Sequence, residues 1–179
     1  MQNNLTIRPA VTPDIEFLSK MDHSIKTDRV WQMATFNESD SMRTDFKETQ
    51  LPRAMRLAYP RSPDTLVNRW GDYNAVFVGC IDGAPVSYLS LSSIVTENLI
   101  RVKDLVVDQN FRRQGVASQM IQFAIQWGKE RNITRISMEM SSKNFPAISL
   151  AKKNKFHFSG FNDNFFRNND IAIFFSRKA

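Results

Sequence analysis

The sequence predicts an α/β fold with a partly parallel sheet, and three observations lead to this prediction. Two strand-like runs flank a turn dipeptide, and a third strand-like run follows them. Next comes a long segment with apolar residues at three-and-four spacing, which is typical of an amphipathic helix. Beyond it, strand and helix patterns alternate to the end of the chain. Such alternation favours a sheet in which some neighbouring strands are parallel.

Residues 1–70 are only weakly patterned. Residues 5–8 suit a short strand, and Thr12-Pro13-Asp14 is typical of a helix start, because proline is favoured at the first helical position. Residues 30–70 mix aromatic, basic and proline residues, and within them we expect one helix over residues 44–58.

The pattern is much stronger from residue 75 onward. Residues 76–81 and 86–91 are strand-like and flank Asp82-Gly83, which suits a tight hairpin. Together with residues 100–107 they predict an antiparallel meander. The remaining predicted elements are an amphipathic helix over 115–131, a half-buried strand over 136–140, a short helix over 146–153 and an apolar strand over 171–175.

Length and cysteine content point to one domain, residues 1–179, in a reducing compartment. A chain of 179 residues can bury a sizeable core without disulfides or metal. Its one cysteine, Cys80, excludes an internal disulfide, and with two histidines it supplies too few ligands for a closed zinc site. The sequence has no secretory leader pattern and no apolar run long enough to span a membrane. We therefore expect a cytoplasmic protein without a metal.

The charge balance favours anionic partners without identifying one. The chain has 24 Lys and Arg against 18 Asp and Glu, a net charge of +6. Such a balance suits a phosphorylated cofactor, an acidic surface or nucleic acid. The basic residues are dispersed, with no long run and no nucleic-acid-binding motif, so a solvated basic surface is favoured over a nucleic-acid site. A nucleic-acid-binding domain is kept as the third hypothesis.

The informative junction is residues 104–118, where a strand passes through a polar loop into the amphipathic helix. The first N–H groups of a helix lack partners within it and carry the positive end of its dipole. Gly115 and Ala117 would let a phosphate approach these N–H groups, and Arg112 and Arg113 would add cationic donors. The alternative is that Gly115 only relieves a tight loop and the arginines are solvated.

At this junction, residues 112–117 (Arg-Arg-Gln-Gly-Val-Ala) resemble the R/Q-x-x-G-x-G/A signature of the GNAT superfamily of acyl-CoA-dependent N-acetyltransferases. The resemblance implies a mixed, twisted central sheet of about six to seven strands with helices on both faces. It also implies acetyl-CoA as co-substrate. The implied cofactor-binding residues of the turn are Arg112, Arg113, Gln114, Gly115, Val116, Ala117 and Ser118, whose amides would hold the pyrophosphate. Leu105 and Val107 of the preceding strand would offer backbone groups to the pantetheine arm and the thioester, with the Leu105 N–H polarising the thioester carbonyl.

Residues 136–156 continue the resemblance through the family's fifth strand and its helix motif N-x-x-A-x-x-L-Y-x-K-x-G-F. The residues that agree are Asn144, Leu150, Lys153 and Phe156, either with one residue inserted after Asn144 or directly, with Ala147 as the small residue. The resemblance implies that Asn144 contacts the pantetheine. On the direct alignment, Ala151 replaces the tyrosine that is often the general acid, and Lys155 replaces the glycine. The likeness covers about residues 72–177, the acetyl-CoA-binding core, and is strongest to streptothricin and ribosomal-protein alanine acetyltransferases.

Glu139 is the candidate catalytic base. Strand alternation places it on the face opposite Ile136, Met138 and Met140, and the resemblance to alanine acetyltransferases implies a base at this position. An acceptor ammonium must lose a proton before its nitrogen can attack a thioester, and a carboxylate can accept that proton through water. The alternative is a solvated or salt-bridged glutamate. Asp104 is a weaker candidate for the base.

The leading hypothesis is an N-acetyltransferase that acts on a primary amine of a small molecule or peptide, with residues 1–70 on the acceptor side. The alternative is a non-catalytic acyl-CoA-binding regulatory module. No membrane partner is expected, and a homodimer is left open. Other singled-out residues have ordinary structural interpretations: His157 as a packed or edge histidine, His23 at the end of the first helix, and Cys80 as a core residue. Trp31, Trp70 and Tyr73 are interpreted as core or as walls of an acceptor pocket. Phe161, Phe165 and Phe166 are placed in a polar loop, where they need a partner surface.

Overall fold

The computed structural model describes residues 4–94 and 98–179. Its helices and strands, in chain order, are β1 (Thr6–Pro9), α1 (Thr12–Ser19), β2 (Ile25–Asn37), β3 (Met42–Leu57), α2 (Pro63–Arg69), β4 (Ala75–Ile81), β5 (Ala84–Ile94), β6 (Leu99–Val107), α3 (Val116–Lys129), β7 (Arg135–Ser141), α4 (Phe145–Lys153), β8 (His157–Asn162) and β9 (Ala172–Lys178). Every element predicted after residue 75 is present, as are the first strand and the helix that begins at Thr12.

A seven-stranded mixed sheet forms the centre of the molecule, with strand order β1-β4-β5-β6-β7-β9-β8. Strands β4, β5 and β6 make the predicted antiparallel meander. Strands β6 and β7 are parallel, and α3 is the crossover between them. Parallel neighbours need such a crossover, whereas the antiparallel β4 and β5 are joined by a two-residue turn. The predicted α/β fold class is confirmed.

The hairpin between β4 and β5 shows why its turn could be predicted. Asp82 and Gly83 both have positive φ angles, 50° and 77°. A two-residue turn of this kind matches the twist of the flanking strands, and it favours Asp-Gly because both positions are left-handed. The local sequence therefore specifies the register of this hairpin.

Residues 25–57 form a long two-stranded ribbon, β2 with β3, so the predicted helix over residues 44–58 is wrong. A proline inside a helix removes a hydrogen bond and clashes with the preceding turn. In the ribbon, Pro52 instead falls in the register break between the pairs Thr27↔Met55 and Arg29↔Gln50, where no ladder donor is required. Pairing with a neighbouring strand overrides the weak local propensity here.

The placement of Phe161 in a loop is also wrong, because this residue lies in β8, an edge strand that the pattern did not predict. Its ring packs 5.3 Å from that of Phe46 on the ribbon. Phe165 and Phe166 do lie in the loop before β9, and Phe166 is buried. The ring of Phe165 packs 5.7 Å from that of Phe174. The partner surface of all three rings therefore includes this domain itself.

The sheet carries an apolar core on each face. On the α3 face, defined as the side covered by α3 and α4, Met120, Ile121 and Ile148 are fully buried against the strands. On the α1 face, defined as the side covered by α1 and α2, Leu18 and Leu66 pack on strands β4 to β6. Cys80 is buried in this second core, as expected for a structural thiol. Helices on both faces of the sheet match the implied architecture.

Candidate active site

Strands β6 and β7 separate toward their C-terminal ends. Their parallel ladder ends at the pair Val102↔Met138. One residue further along β6, at Lys103, the register of β6 on β5 shifts by one residue. Strand β6 stays paired with β5, and β7 with β9, beyond this point. The β6–β7 gap, as we call it, therefore opens between the inner edges of residues 103–107 and 139–141.

The turn between β6 and α3 presents bare backbone beside this gap. Gly115 is the N-cap of α3, with a φ of 89° and no side-chain cap, and nothing lies within 4 Å of a Cβ built at this position. The first bond along α3 runs from the Gln119 N–H to the Gly115 carbonyl at 3.1 Å. The N–H groups of residues 116–118 precede that bond, so they have no acceptor within the helix. They form an open, positively polarised turn that can bind an anion.

The two arginines of the turn differ in what they contact. Arg112 donates to three backbone carbonyls: Val107 at 2.8 Å, Ser24 at 2.9 Å and Asp22 at 2.7 Å. It thereby ties the turn to the segment after α1. Arg113 is exposed, with a positive φ of 64°. Of the two guanidinium groups, that of Arg113 is the one open to an anion bound from solvent.

The other predicted cofactor residues surround the same opening. Leu105, half-buried, and Val107, buried, lie on the β6 edge of the gap. The Gln114 amide donates to the Asn110 carbonyl at 2.8 Å and so stabilises the turn. Val116 is buried under the start of α3, and Ala117 is half-buried. The Ser118 hydroxyl accepts a hydrogen bond from the Asn154 side chain at 3.3 Å, which ties α3 to the end of α4.

At the opposite edge, Asn144 caps α4. Its side-chain oxygen accepts from the Ala147 N–H at 3.1 Å, which satisfies one of the free donors of that helix. Seven residues on, Ala151 is fully buried in the α3-face core. Lys155 has a φ of 62°, the left-handed geometry that suits the glycine of the family motif. The backbone geometry of the helix motif is therefore present, but the residue at position 151 has no hydroxyl group.

Glu139 lies at the mouth of the gap, and its side chain is only 4% exposed. Its neighbours Met138 and Met140 point into the α3-face core, so Glu139 points to the α1 face. The Glu139 Oε1 atom accepts from the Lys103 ammonium at 3.0 Å and, more closely, from the Arg61 guanidinium. The glutamate is thus salt-bridged and sheltered rather than solvated.

Asp104 lies across the gap from Glu139 and is also buried. Its Oδ2 accepts from the Ser90 hydroxyl at 2.7 Å and from the Tyr73 hydroxyl at 3.3 Å. Its Oδ1 accepts from the Tyr59 hydroxyl at 3.0 Å and from Arg61 at 3.2 Å. Burial, together with the Asp104 charge, raises the pKa of Tyr73 to about 12 and raises that of Tyr59 as well.

A second polar pair borders this cluster. His23 is buried, its Nδ1 bonded to the Met21 carbonyl at 2.7 Å and its Nε2 to the Tyr88 hydroxyl at 2.9 Å. Because a carbonyl can only accept, Nδ1 carries the proton and Nε2 accepts from Tyr88. Burial lowers the pKa of His23. This histidine, which the sequence placed at the end of the first helix, is a buried residue with both ring nitrogens bonded.

Sequence reasoning missed Arg61 as a site residue. It lies in the loop between β3 and α2, 78 positions before Glu139 in the chain, among several dispersed arginines. No local signal distinguishes it from its neighbours. Of the three aromatic residues considered as pocket walls, Tyr73 joins Asp104, whereas the Trp31 backbone N–H donates to the Ser142 carbonyl at 2.8 Å. Trp70 packs at the edge of the α1-face core.

Two further observations concern residues 4–94 and 98–179. Among them, no group of three or more His, Cys, Asp and Glu side chains is arranged to hold a metal ion. Within the same ranges, no helix has the length and apolar character needed to cross a membrane.

The fold and the gap define an α/β protein with an uncapped helix N-terminus after β6 and a buried pair of carboxylates, Asp104 and Glu139, at the gap. The model of the acetyltransferase (GNAT) family matches residues 40–157. The chain belongs to that family, and the predicted family is confirmed. Among curated proteins, streptothricin acetyltransferase from Escherichia coli is 31% identical over 87 residues. That alignment covers 49% of this chain and 49% of the relative, so the chain spans about half the length of the curated protein it matches.

Solved structures show the same fold. Nourseothricin acetyltransferase superposes with a TM-score of 0.83 at 20% identity, covering 97% of this chain and 98% of that one. A Bacillus anthracis protein, provisionally assigned as a streptothricin acetyltransferase and solved in complex with acetyl coenzyme A, has a TM-score of 0.76 at 20% identity. The superposition covers 100% of this chain and 99% of that protein.

Proposed function

We propose that this protein transfers the acetyl group of acetyl-CoA to a primary amine. The observation that carries the proposal is the β6–β7 gap, with the open turn at Gly115 near one end and the Glu139 carboxylate at its mouth. In this proposal, acetyl-CoA lies along the gap with its pyrophosphate on the N–H groups of residues 116–118. The β6 edge at Leu105 and Val107 holds the pantetheine and polarises the thioester carbonyl, and Asn144 contacts the pantetheine from the other edge.

The reaction proceeds by direct attack in a ternary complex. The acceptor ammonium gives a proton through water to Glu139, and the freed nitrogen attacks the thioester carbon. A carbon–nitrogen bond forms, and the nitrogen releases its second proton to water. The carbon–sulfur bond breaks, and the CoA thiolate takes up a proton from water, because Ala151 has none to give. Positioning and electrostatic stabilisation supply most of the rate enhancement in such a mechanism.

The acceptor is a small-molecule or peptide amine that approaches from the α1 face. The relatives named for streptothricin and nourseothricin support testing these two compounds first as acceptors. The loop to α2 borders this side of the gap through Arg61, whereas Trp31 of the β2–β3 ribbon bonds to the Ser142 carbonyl beyond β7 and packs against the α3-face core. Both segments belong to the region that we assign to the acceptor side.

Two observations favour a second candidate, an acyl-CoA-binding module without turnover. No hydroxyl stands at position 151, and Glu139 is held by two cations. Such a module would bind acetyl-CoA but release no thiol when an amine is added. A homodimer stays a prediction for either candidate.

The test is a CoA-release assay over peptides, polyamines and streptothricin-like amines. We expect amine-dependent release by the wild type. Glu139→Gln should lower kcat/KM at least tenfold near neutral pH, and less at higher pH, where more of the acceptor amine is already neutral. Glu48→Gln is a matched control, because Glu48 also pairs with an arginine but lies on the ribbon. Binding of acetyl-CoA without release by any amine would support the regulatory module, and no binding would contradict both candidates.

A further inference from the structure

One guanidinium spans the β6–β7 gap. Arg61 donates through Nη1 to the Asp104 carboxylate and to the Lys103 carbonyl at 2.6 Å, both on β6. Through Nη2 it donates to the Glu139 carboxylate on β7. These contacts lie just past the last ladder pair of the two strands. Arg61 therefore links the strands where their own hydrogen bonds have ended.

The β6 side of this link is rigidly held. The Asp104 carboxylate also accepts from three hydroxyl groups, those of Tyr59, Tyr73 and Ser90. A buried carboxylate with several well-directed donors has little freedom to move. Because Asp104 is fixed, its ion pair also restricts Arg61, whose side chain is 19% exposed.

The β7 side depends on Arg61 much more. Among the described residues, Arg61 and Lys103 donate to the Glu139 carboxylate, and both contact Oε1. Within residues 4–94 and 98–179, Lys103 forms an ion pair with Glu139 alone, whereas the planar fork of Arg61 reaches both carboxylates. Lysine is a single point charge on a flexible stem, so it cannot replace an arginine that bridges two acceptors.

We infer that Arg61 is a positioning residue, which holds the two strands apart at a set distance on the acceptor side and orients Glu139 toward the incoming amine. This inference rests on the proposed function. The cluster pairs two cations with two carboxylates and so carries no net charge. The role of Arg61 in this cluster is therefore to position Glu139, not to attract a cationic acceptor.

The inference predicts that Arg61 acts through Glu139, which a double-mutant cycle can measure. Arg61→Ala should lower kcat for the amine at least tenfold while the Kd of acetyl-CoA changes less than threefold. The double variant with Glu139→Gln should lose no more activity than Glu139→Gln alone, within twofold, because the two residues act as a unit. Arg61→Lys should recover only part of the loss, and Lys103→Met should lose less than Arg61→Ala.

Arg69→Ala is the matched control, because Arg69 pairs with Asp72 at the exposed surface of the same region. It should leave kcat unchanged. If Arg61→Ala does not fold, the cycle is run with Arg61→Lys. The inference is overturned if kcat stays within twofold of the wild type, or if the double variant shows the product of the two single losses. Absence of amine-dependent CoA release by the wild type overturns the proposed function itself and this inference with it.

Discussion

The two faces of the central sheet bury different kinds of side chains. The α3 face is an apolar core, in which Met120, Ile121 and Ala151 are fully buried. The α1 face has a smaller apolar core and buries His23 and Asp104 beside it. Buried polar groups are tolerated only when they are paired. Here His23 is bonded to the Tyr88 hydroxyl, and Asp104 is bonded to Arg61.

We propose that this difference separates two tasks around one gap, cofactor binding and acceptor binding. At the α3 face, the open N–H groups of the Gly115 turn can recognise a phosphate whatever the neighbouring side chains are. At the α1 face, charged and hydroxyl side chains from three strands and two loops meet, so a change in any one of them should alter the acceptor side. We expect cofactor binding at the Gly115 turn to be sensitive to backbone changes. Acceptor turnover at the α1 face should be sensitive to changes in side-chain chemistry.

The largest expected effect tests the backbone of the Gly115 turn. Gly115→Val should remove most of the stabilisation by acetyl-CoA, which for the wild type is about 2.7 kcal/mol at a ligand concentration of about a hundred times Kd. A β-branched side chain would both strain the left-handed turn and cover the N–H groups. The measurement is the thermal shift with and without acetyl-CoA.

Gly83→Val provides the control for that strain. Gly83 also has a positive φ and nothing within 4 Å of a built Cβ, but it lies in the β4–β5 turn. Both variants should lose a similar amount of stability without ligand. Only Gly115→Val should lose the acetyl-CoA shift, and an equal shift in the two variants would contradict the assignment of the turn.

An intermediate effect tests how tightly the α3 face is packed. Ala151→Tyr would restore the family's hydroxyl, but position 151 is fully buried. Overpacking a core typically costs about 1–3 kcal/mol, so we expect lower stability in urea and no gain in turnover. Ala34→Tyr, at an exposed ribbon position, should change stability by less than about 0.5 kcal/mol. Faster CoA release by Ala151→Tyr at unchanged stability would show that this face has room for a general acid.

The smallest effect concerns the polar α1 face and its pH dependence. Burial lowers the pKa of His23 below its ordinary value of 6.5. As pH falls below 6.5, the unfolded chain binds a proton that the folded chain does not yet bind, so folding stability declines. One such group changes the unfolding free energy by at most about 1.4 kcal/mol per pH unit. Urea midpoints between pH 7.5 and 5 measure this slope.

The chain has only two histidines, which makes the control simple. His23→Gln should flatten the decline, and His157→Gln, at an exposed position of β8, should leave it as in the wild type. An unchanged slope in His23→Gln would assign the pH dependence to other groups and weaken the contrast between the two faces.

Most of the fold from β4 to α4 could be predicted because its signals are local. Asp82-Gly83 specifies a turn, and three-and-four spacing specifies α3, so each element can be identified without knowing its neighbours. The ribbon over residues 25–57 could not be predicted in this way. Its strands are defined by pairing with each other, and Pro52 fits only because the register breaks there.

By itself, the sequence determined the α/β order of elements, the family resemblance and the Gly115 turn, because these depend on residues close together in the chain. Only the tertiary structure decided that Arg112 holds the segment after α1, that Ala151 is buried, and that Arg61 bridges Asp104 and Glu139. The physical reason is distance along the chain. Arg61 and Glu139 are 78 positions apart, and their charges become partners only when the folded sheet excludes water between them.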